Sequence, residues 1–340
     1  MKKISCIMSN YNTDSDILKL SIDSILHQTF QDFELIIVDD CSTDISSKET
    51  LKYYENNDKI KIIYNEKNLG LAASLNKAIE SSNGKYIARM DTDDIAHHNR
   101  FEIEYNYLEN HPEIDICSSY AYMFQDKSGL RFHTPFYKHK YCKCSIFFST
   151  CLCHPAVMMK KEFLDKYNLR YDVNFYCSQD FDLWARCSEV GKIEVINKVL
   201  LDYRVHNKQL SIAKKEMQRK LASKVLIRQL NKLYSDFSNE EFEMQLILAE
   251  LNQLNKSNVK QLIKWINKLV EINYRKKIYD CRAFRIVLKN RVFNLLLKSH
   301  MSIIEKLYYL IRYPFFWGFY NCYSILYRII YILSYSRGKI

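Results

Sequence analysis

The sequence predicts a doubly wound, mostly parallel α/β sheet flanked by helices, followed by an α-helical C-terminal region, in a chain of 340 residues. Three observations lead there. Over roughly the first 200 residues, short apolar runs alternate with longer amphipathic stretches. From 207 to 312 the chain holds neither glycine nor proline and is rich in Leu, Lys, Gln and Glu, which is the composition of a set of helices. The charge is also divided. Residues 1–206 carry 25 Lys+Arg and 30 Asp+Glu, whereas 207–340 carry 25 and 9, so the formal +11 separates into −5 and +16. Two domains are expected, 1–210 and 211–340.

In order along the chain, residues 4–8 read as a strand, and 14–29 as a helix that Asp14 can cap. Residues 33–38 form a second strand, nearly all apolar as a strand buried on both faces should be. A helix around 45–56 follows, then a strand at 60–64, a helix at 70–82 and a strand at 86–90. In such a sheet, ligands bind beyond the carboxyl ends of the strands. The first strand-to-helix turn, Ser9-Asn10-Tyr11-Asn12-Thr13, contains no glycine, which excludes a glycine-rich dinucleotide loop and a P-loop.

With 48% hydrophobic residues the chain can bury a large core, and only 6 Gly and 4 Pro exclude collagen-like and disordered classes. The 11 cysteines are odd in number and scattered, so no disulfide framework is expected. The apolar run that ends at Met8 is too short for a signal peptide, and a reducing, cytoplasmic setting is the expectation. Cys142, Cys144, Cys151, Cys153 and His154 form the tightest cluster. C-x-C pairs lack the reach of structural zinc sites, so buried thiols are expected there.

The segment at about 313–335 is dense in Tyr and Phe but carries Arg328 within it and Arg312, Arg337 and Lys339 around it. A spanning helix would be more uniformly apolar. An interfacial amphipathic segment fits better, peripheral on an anionic membrane surface, with packing on its own domain or on a second copy as the alternative. A homo-oligomer is compatible with this reading.

Acidic residues gather at strand ends. Asp39-Asp40 ends the second strand, Asp91-Thr92-Asp93-Asp94 ends the fourth, and Asp180 with Asp182 opens a later helix. Three carboxylates within four residues repel, and a divalent cation is the usual reason to gather them. Hard oxygen ligands suit Mg²⁺ or Mn²⁺, which bind through carboxylates together with substrate phosphates. Asp180, with Phe181, Leu183 and Trp184 beside it, suits either a desolvated general base or a helix N-cap, and Asp182 reads as solvated.

These residues resemble a family. Ser9-Asn10-Tyr11-Asn12, Val38-Asp39-Asp40-Cys41-Ser42-Thr43-Asp44, Asn68-Leu69-Gly70 and Asp91-Thr92-Asp93-Asp94 are similar to the motifs of family 2 glycosyltransferases. His154-Pro155-Ala156-Val157, Gln179-Asp180-Phe181-Asp182-Leu183-Trp184 and Tyr203-Arg204-Val205-His206 continue the match in order, over about residues 3–210. The resemblance implies a GT-A fold, a nucleotide-diphosphate-sugar donor, Mn²⁺ or Mg²⁺, and inversion at the anomeric carbon. Position by position, Ser9, Tyr11, Asp40, Asn68, Asp91 and Asp93 would contact the nucleotide sugar. Asp40 would accept from the N3–H of uracil, which favours UDP. Asp91, Asp93, Asp94 and His206 would lie at the metal, Asp93 foremost, Asp180 would be the catalytic base, and His154 would face the acceptor. Gln179 stands where the family usually has glutamate.

The expected function is therefore a metal-dependent, hexosyltransferase-type enzyme of polysaccharide biosynthesis. It would move a sugar from a UDP-sugar to a hydroxyl of a glycan acceptor, a lipid-linked one being favoured by the basic, aromatic tail, at the cytoplasmic face of the cell membrane. A sugar nucleotidyltransferase would need a glycine-rich basic loop after the first strand, which is missing. A nucleic-acid-binding role for the +16 region lacks any supporting motif.

Overall fold

The computed structural model describes residues 2–124, 131–132, 138–205 and 215–313. By its internal contacts the chain forms two compact units, residues 1–142 with 150–225, and 143–149 with 226–340. The expected division at 210/211 lies outside the described residues, as do His206 and all of the aromatic segment after Tyr313.

The first unit is built on one sheet. Its strands are β1 (Ile4–Asn10), β2 (Phe33–Asp39), β3 (Ile60–Tyr64), β4 (Tyr86–Arg89), β5 (Ile95–Ala96), β6 (Ile116–Phe124), β7 (Arg131–Phe132), β8 (Val157–Lys160) and β9 (Ile193–Arg204). They run in the order β3-β2-β1-β4-β8-β6-β9-β5, with β7 paired to β6. The β3-β2-β1-β4 half is parallel, and β8 turns the sheet by pairing antiparallel with both β4 and β6. The β6–β9 pair is parallel again. All but one residue of β2 is buried, as its nearly continuous apolar run requires. The exception, Glu34, accepts from Ser5 Oγ at 2.6 Å and from the Asn83 amide at 2.8 Å. Gly84 precedes β4 where a Cβ would fall 2.5 Å from the Ser5 amide nitrogen, so only glycine fits that approach.

Helices α1 (Ser15–Leu26), α2 (Ile45–Tyr54), α3 (Leu71–Glu80) and α4 (Arg100–Asn110) follow the first strands. Asp14 and Asp44 cap α1 and α2 by accepting backbone amides of the first turn. α3 opens on Gly70, at φ +85°, without a side-chain cap of its own. Further on come α5 (His139–Ile146), α6 (Lys161–Lys166) and α7 (Gln179–Val190). The core of this unit joins Ile4, Met8, Ile22, Leu35 and Ile37 with Tyr86, Phe101, Cys117 and Met158.

The second unit is helical, as the absence of Gly and Pro predicts. It contains α9 (Asn239–Leu248), α10 (Val259–Lys276), α11 (Cys281–Lys298) and α12 (Ile303–Arg312), while α8 (Lys215–Leu233) runs from the end of the first unit into it. Ser238 with Glu241, and Ser302 with Glu305, form capping boxes on α9 and α12. Phe147, Phe148, Tyr279 and Phe284 make an aromatic core, with ring centroids 4.8–6.0 Å apart. Among the described residues no helix is long and apolar enough to cross a membrane. Cys142, Cys144, Cys151 and Cys153 are buried thiols that take part in no disulfide.

Candidate active site

Because β1, β2 and β4 are parallel, their carboxyl ends deliver Asn10, Asp39 and the 91–94 turn to one edge of the sheet. The loops there are tied together by short polar groups. Asn10, fully buried, donates from Nδ2 to Asp39 Oδ1 at 2.7 Å and to Ser47 Oγ at 3.0 Å. Asn12, at φ +53°, accepts at Oδ1 from the amides of Thr43 and Asp44, and Thr13 Oγ1 lies 2.8 Å from Thr92 Oγ1. Above them opens a cleft of about 1200 Å³ within the first unit.

Of the residues singled out from sequence, Tyr11, Asp91, Asp93, His154 and Asp180 line this cleft together. Ser9 is half-buried at the end of β1 and Asn68 is exposed, its Nδ2 donating to the Asp40 carbonyl at 3.3 Å; neither lines the cleft. Asp40 also lies behind the wall, 2% exposed. Its Oδ1 accepts from Asn65 Nδ2 (2.8 Å) and the Leu69 amide (2.7 Å), and its Oδ2 from the Gly70 amide (2.8 Å). That carboxylate fixes the turn that leads into α3 and shapes the site from behind.

The acidic turn is a metal-sized cluster. One carboxylate oxygen from each of Asp91, Asp93 and Asp94 lies within 4.8 Å of the others. Asp94 Oδ1 accepts from the Arg204 amide at 2.8 Å, while Oδ2 is buried without a partner. Burial and the neighbouring Asp91 and Asp93 push the Asp94 carboxyl well above its ordinary range. An orphaned buried oxygen amid three carboxylates fits a divalent cation.

Sequence reasoning missed Arg89. It is 1% exposed, lines the cleft, and forks onto Asp91 through both terminal nitrogens, Nη1 at 2.7 Å from Oδ2. Burial raises the Asp91 carboxyl above its ordinary value, with the charge of Arg89 opposing that rise. An arginine ending the otherwise apolar β4, two residues before the acidic run, was the available signal. Arg204 was also missed as a brace: its Nε donates to the Asp93 carbonyl at 2.7 Å.

Asp180 stands in the first turn of α7, where Ser178 and not Asp180 occupies the N-cap position. Burial raises its carboxyl above the ordinary value, with the Phe181 amide and Arg89 opposing. Asp182, expected to be solvated, is instead buried and accepts from Arg186 Nη2 at 2.6 Å. His154 lies 2.8 Å from Tyr171 Oη through Nε2, and burial, with Arg89 nearby, holds it well below the usual histidine range, hence neutral.

Glycosyl transferase family 2 matches residues 5–167. An uncharacterized glycosyltransferase of Methanocaldococcus jannaschii is 40% identical over 219 residues, covering 63% of this chain and 75% of that protein. The chain is a family 2 glycosyltransferase. This glycosyltransferase is also 31% identical over 209 residues to the O-antigen biosynthesis glycosyltransferase WbnJ of Escherichia coli, covering 60% of this chain and 80% of that one. Its fold is GT-A. The structure of Staphylococcus aureus TarS 1–349 with UDP-GlcNAc superposes with a TM-score of 0.56 at 15% identity, covering 99% of this chain and 92% of that one.

Proposed function

We propose that this glycosyltransferase is metal-dependent and inverting, and that it transfers a hexose-type sugar from a UDP-sugar to a hydroxyl of a lipid-linked glycan in surface polysaccharide synthesis. The observation that carries the reading is the sharing of one cleft by a desolvated Asp180 and the acidic turn. Mn²⁺ or Mg²⁺, held by Asp93 and Asp94 with Asp91 and His206 beside them, would neutralise charge on the departing diphosphate. Asp180 takes the proton of the acceptor hydroxyl, whose oxygen bonds to the anomeric carbon as the bond to the diphosphate breaks and UDP leaves with the electron pair. The ring of Tyr11, 51% exposed, offers a stacking face for the base, while Asp40, with Asn68 bonded to its carbonyl, holds the loop behind that wall. The UDP-GlcNAc complex of TarS supports UDP as the nucleotide, and the E. coli O-antigen relative supports a glycan acceptor. His154 and Gln179 form the acceptor side. Catalysis belongs to residues 1–210, and 211–340, basic and helical, hold the enzyme at the cytoplasmic face of an anionic membrane.

Asp180→Asn should lower kcat by roughly 10²–10⁴-fold while leaving UDP-sugar affinity, measured by calorimetry, close to wild type. Transfer at the wild-type rate would remove Asp180 from the role of base.

A further inference from the structure

The helix α12 (Ile303–Arg312) has two unlike sides. Its inner side is held by several contacts within the second unit. Tyr309 and Leu310 are buried, Lys306 Nζ donates to the Leu297 carbonyl at 2.8 Å, and Glu305 pairs with Lys256 at 3.2 Å. The other side presents Ile304, Tyr308 and Ile311, at i, i+4 and i+7, with 76%, 56% and 59% of their surface exposed. Three large apolar side chains on one face of a ten-residue helix form a contiguous stripe, and such a stripe on a folded surface marks an interaction site. Exposed Arg312 adjoins it.

What covers the stripe follows from charge. After Glu305 the remaining 35 residues contain five Lys or Arg, no Asp or Glu, and twelve aromatic residues. Basic groups with no acidic ones among them are matched by a partner of uniformly negative charge. A surface of uniformly negative headgroups above an apolar layer is matched by basic groups alone, with aromatic rings at headgroup depth. We infer that the Ile304–Tyr308–Ile311 face of α12 is a docking surface for an anionic bilayer, entering at the boundary of headgroups and acyl chains with Arg312 on the phosphates. This rests on the reading that the enzyme works at a membrane, and it places the contact on a defined helix face. Lys306 and Glu305, engaged on the inner side, stay with the protein.

The test uses the full chain and sedimentation with phosphatidylcholine vesicles, with and without phosphatidylglycerol. Wild-type protein should be retained on the anionic vesicles and released by salt. The triple variant Ile304→Glu, Tyr308→Glu, Ile311→Glu should lose retention by at least roughly tenfold, since three apolar anchors become anionic, with its melting temperature unchanged. Should the triple variant fail to fold, the double variant Ile304→Gln, Ile311→Gln provides the same comparison. Retention of the folded variants equal to wild type would overturn the docking face while leaving membrane association intact. Absence of wild-type retention would overturn the membrane reading itself. A wild-type dimer that the variants convert to monomer, seen by light scattering, would assign the face to a second copy and overturn the inference.

Discussion

At the residue scale the cleft is organised around Arg89. Its fork on Asp91 fixes that carboxylate in position and sets a positive charge against the acidic turn. A residue acting through Asp91 is a positioning residue, and its loss should appear in turnover before it appears in stability. Arg89→Met should reduce kcat by roughly 10²-fold, with KM for the donor moving much less. Arg89→Lys, which keeps the charge but not the planar fork, should fall between the two. Equal losses in both variants, accompanied by a drop in melting temperature, would mean that Arg89 serves the fold alone. The pH profile belongs to the same scale. As the proposed base Asp180 must be ionised to accept a proton, and burial raises its carboxyl above the ordinary aspartate value. Accordingly kcat/KM should fall as pH is lowered through a midpoint above that of an exposed aspartate, with a limiting slope of one proton. A midpoint at or below the ordinary aspartate value would contradict the desolvated base. Little of this was legible beforehand. The spacing of Asp91, Asp93 and Asp94 is visible in the sequence, but the pairing of Arg89 with Asp91 depends on side-chain direction at the end of β4.

At the element scale, strands deliver the chemistry and helices hold the strand ends. Arg100, at the start of α4, is fully buried and donates from Nη2 to the Arg89 carbonyl at 2.8 Å, from Nη1 towards Met90 Sδ, and from Nε to Glu104 at 3.1 Å. It thereby anchors the strand end from which the acidic turn departs. Burial pushes Glu104 up to about 7, while Arg100 opposes that rise. Removing one member of a buried pair leaves the other uncompensated, at a cost of about 3–5 kcal/mol. Glu104→Gln should thus lower the urea unfolding free energy of the first unit by about that amount, and an unchanged value would show that the pair is dispensable. The four parallel strands and their helices were readable because each is local: β3 spans the predicted residues, and β1 and β2 run one or two residues longer. The mixed half of the sheet was not read. β6 mixes Cys, Ser and Tyr without alternation, and its partners β8 and β9 lie far along the chain. The role of Asp40 was also hidden, because it holds the turn before α3 across a sequence separation of 29–30 residues.

At the scale of the whole molecule, the division of charge between −5 and +16 predicts two parts with different ligands. The two compact units allow that division to be tested thermodynamically. Ligands that bind one folded unit stabilise that unit by mass action, by about 2.7 kcal/mol at a concentration 100 times Kd. For a unit of some 200 residues this corresponds to a rise of roughly 5–11 °C, from about 2–4 °C per kcal/mol. If the units unfold separately, calorimetry should resolve two transitions. A UDP-sugar with Mn²⁺ should raise only the transition of the first unit, and Asp93→Asn should abolish the part of that rise that depends on metal. Anionic vesicles should perturb the other transition. A single transition that moves as a whole with UDP-sugar would mean that the units are one cooperative body. The charge asymmetry would then describe two faces of one body rather than two independently stable parts.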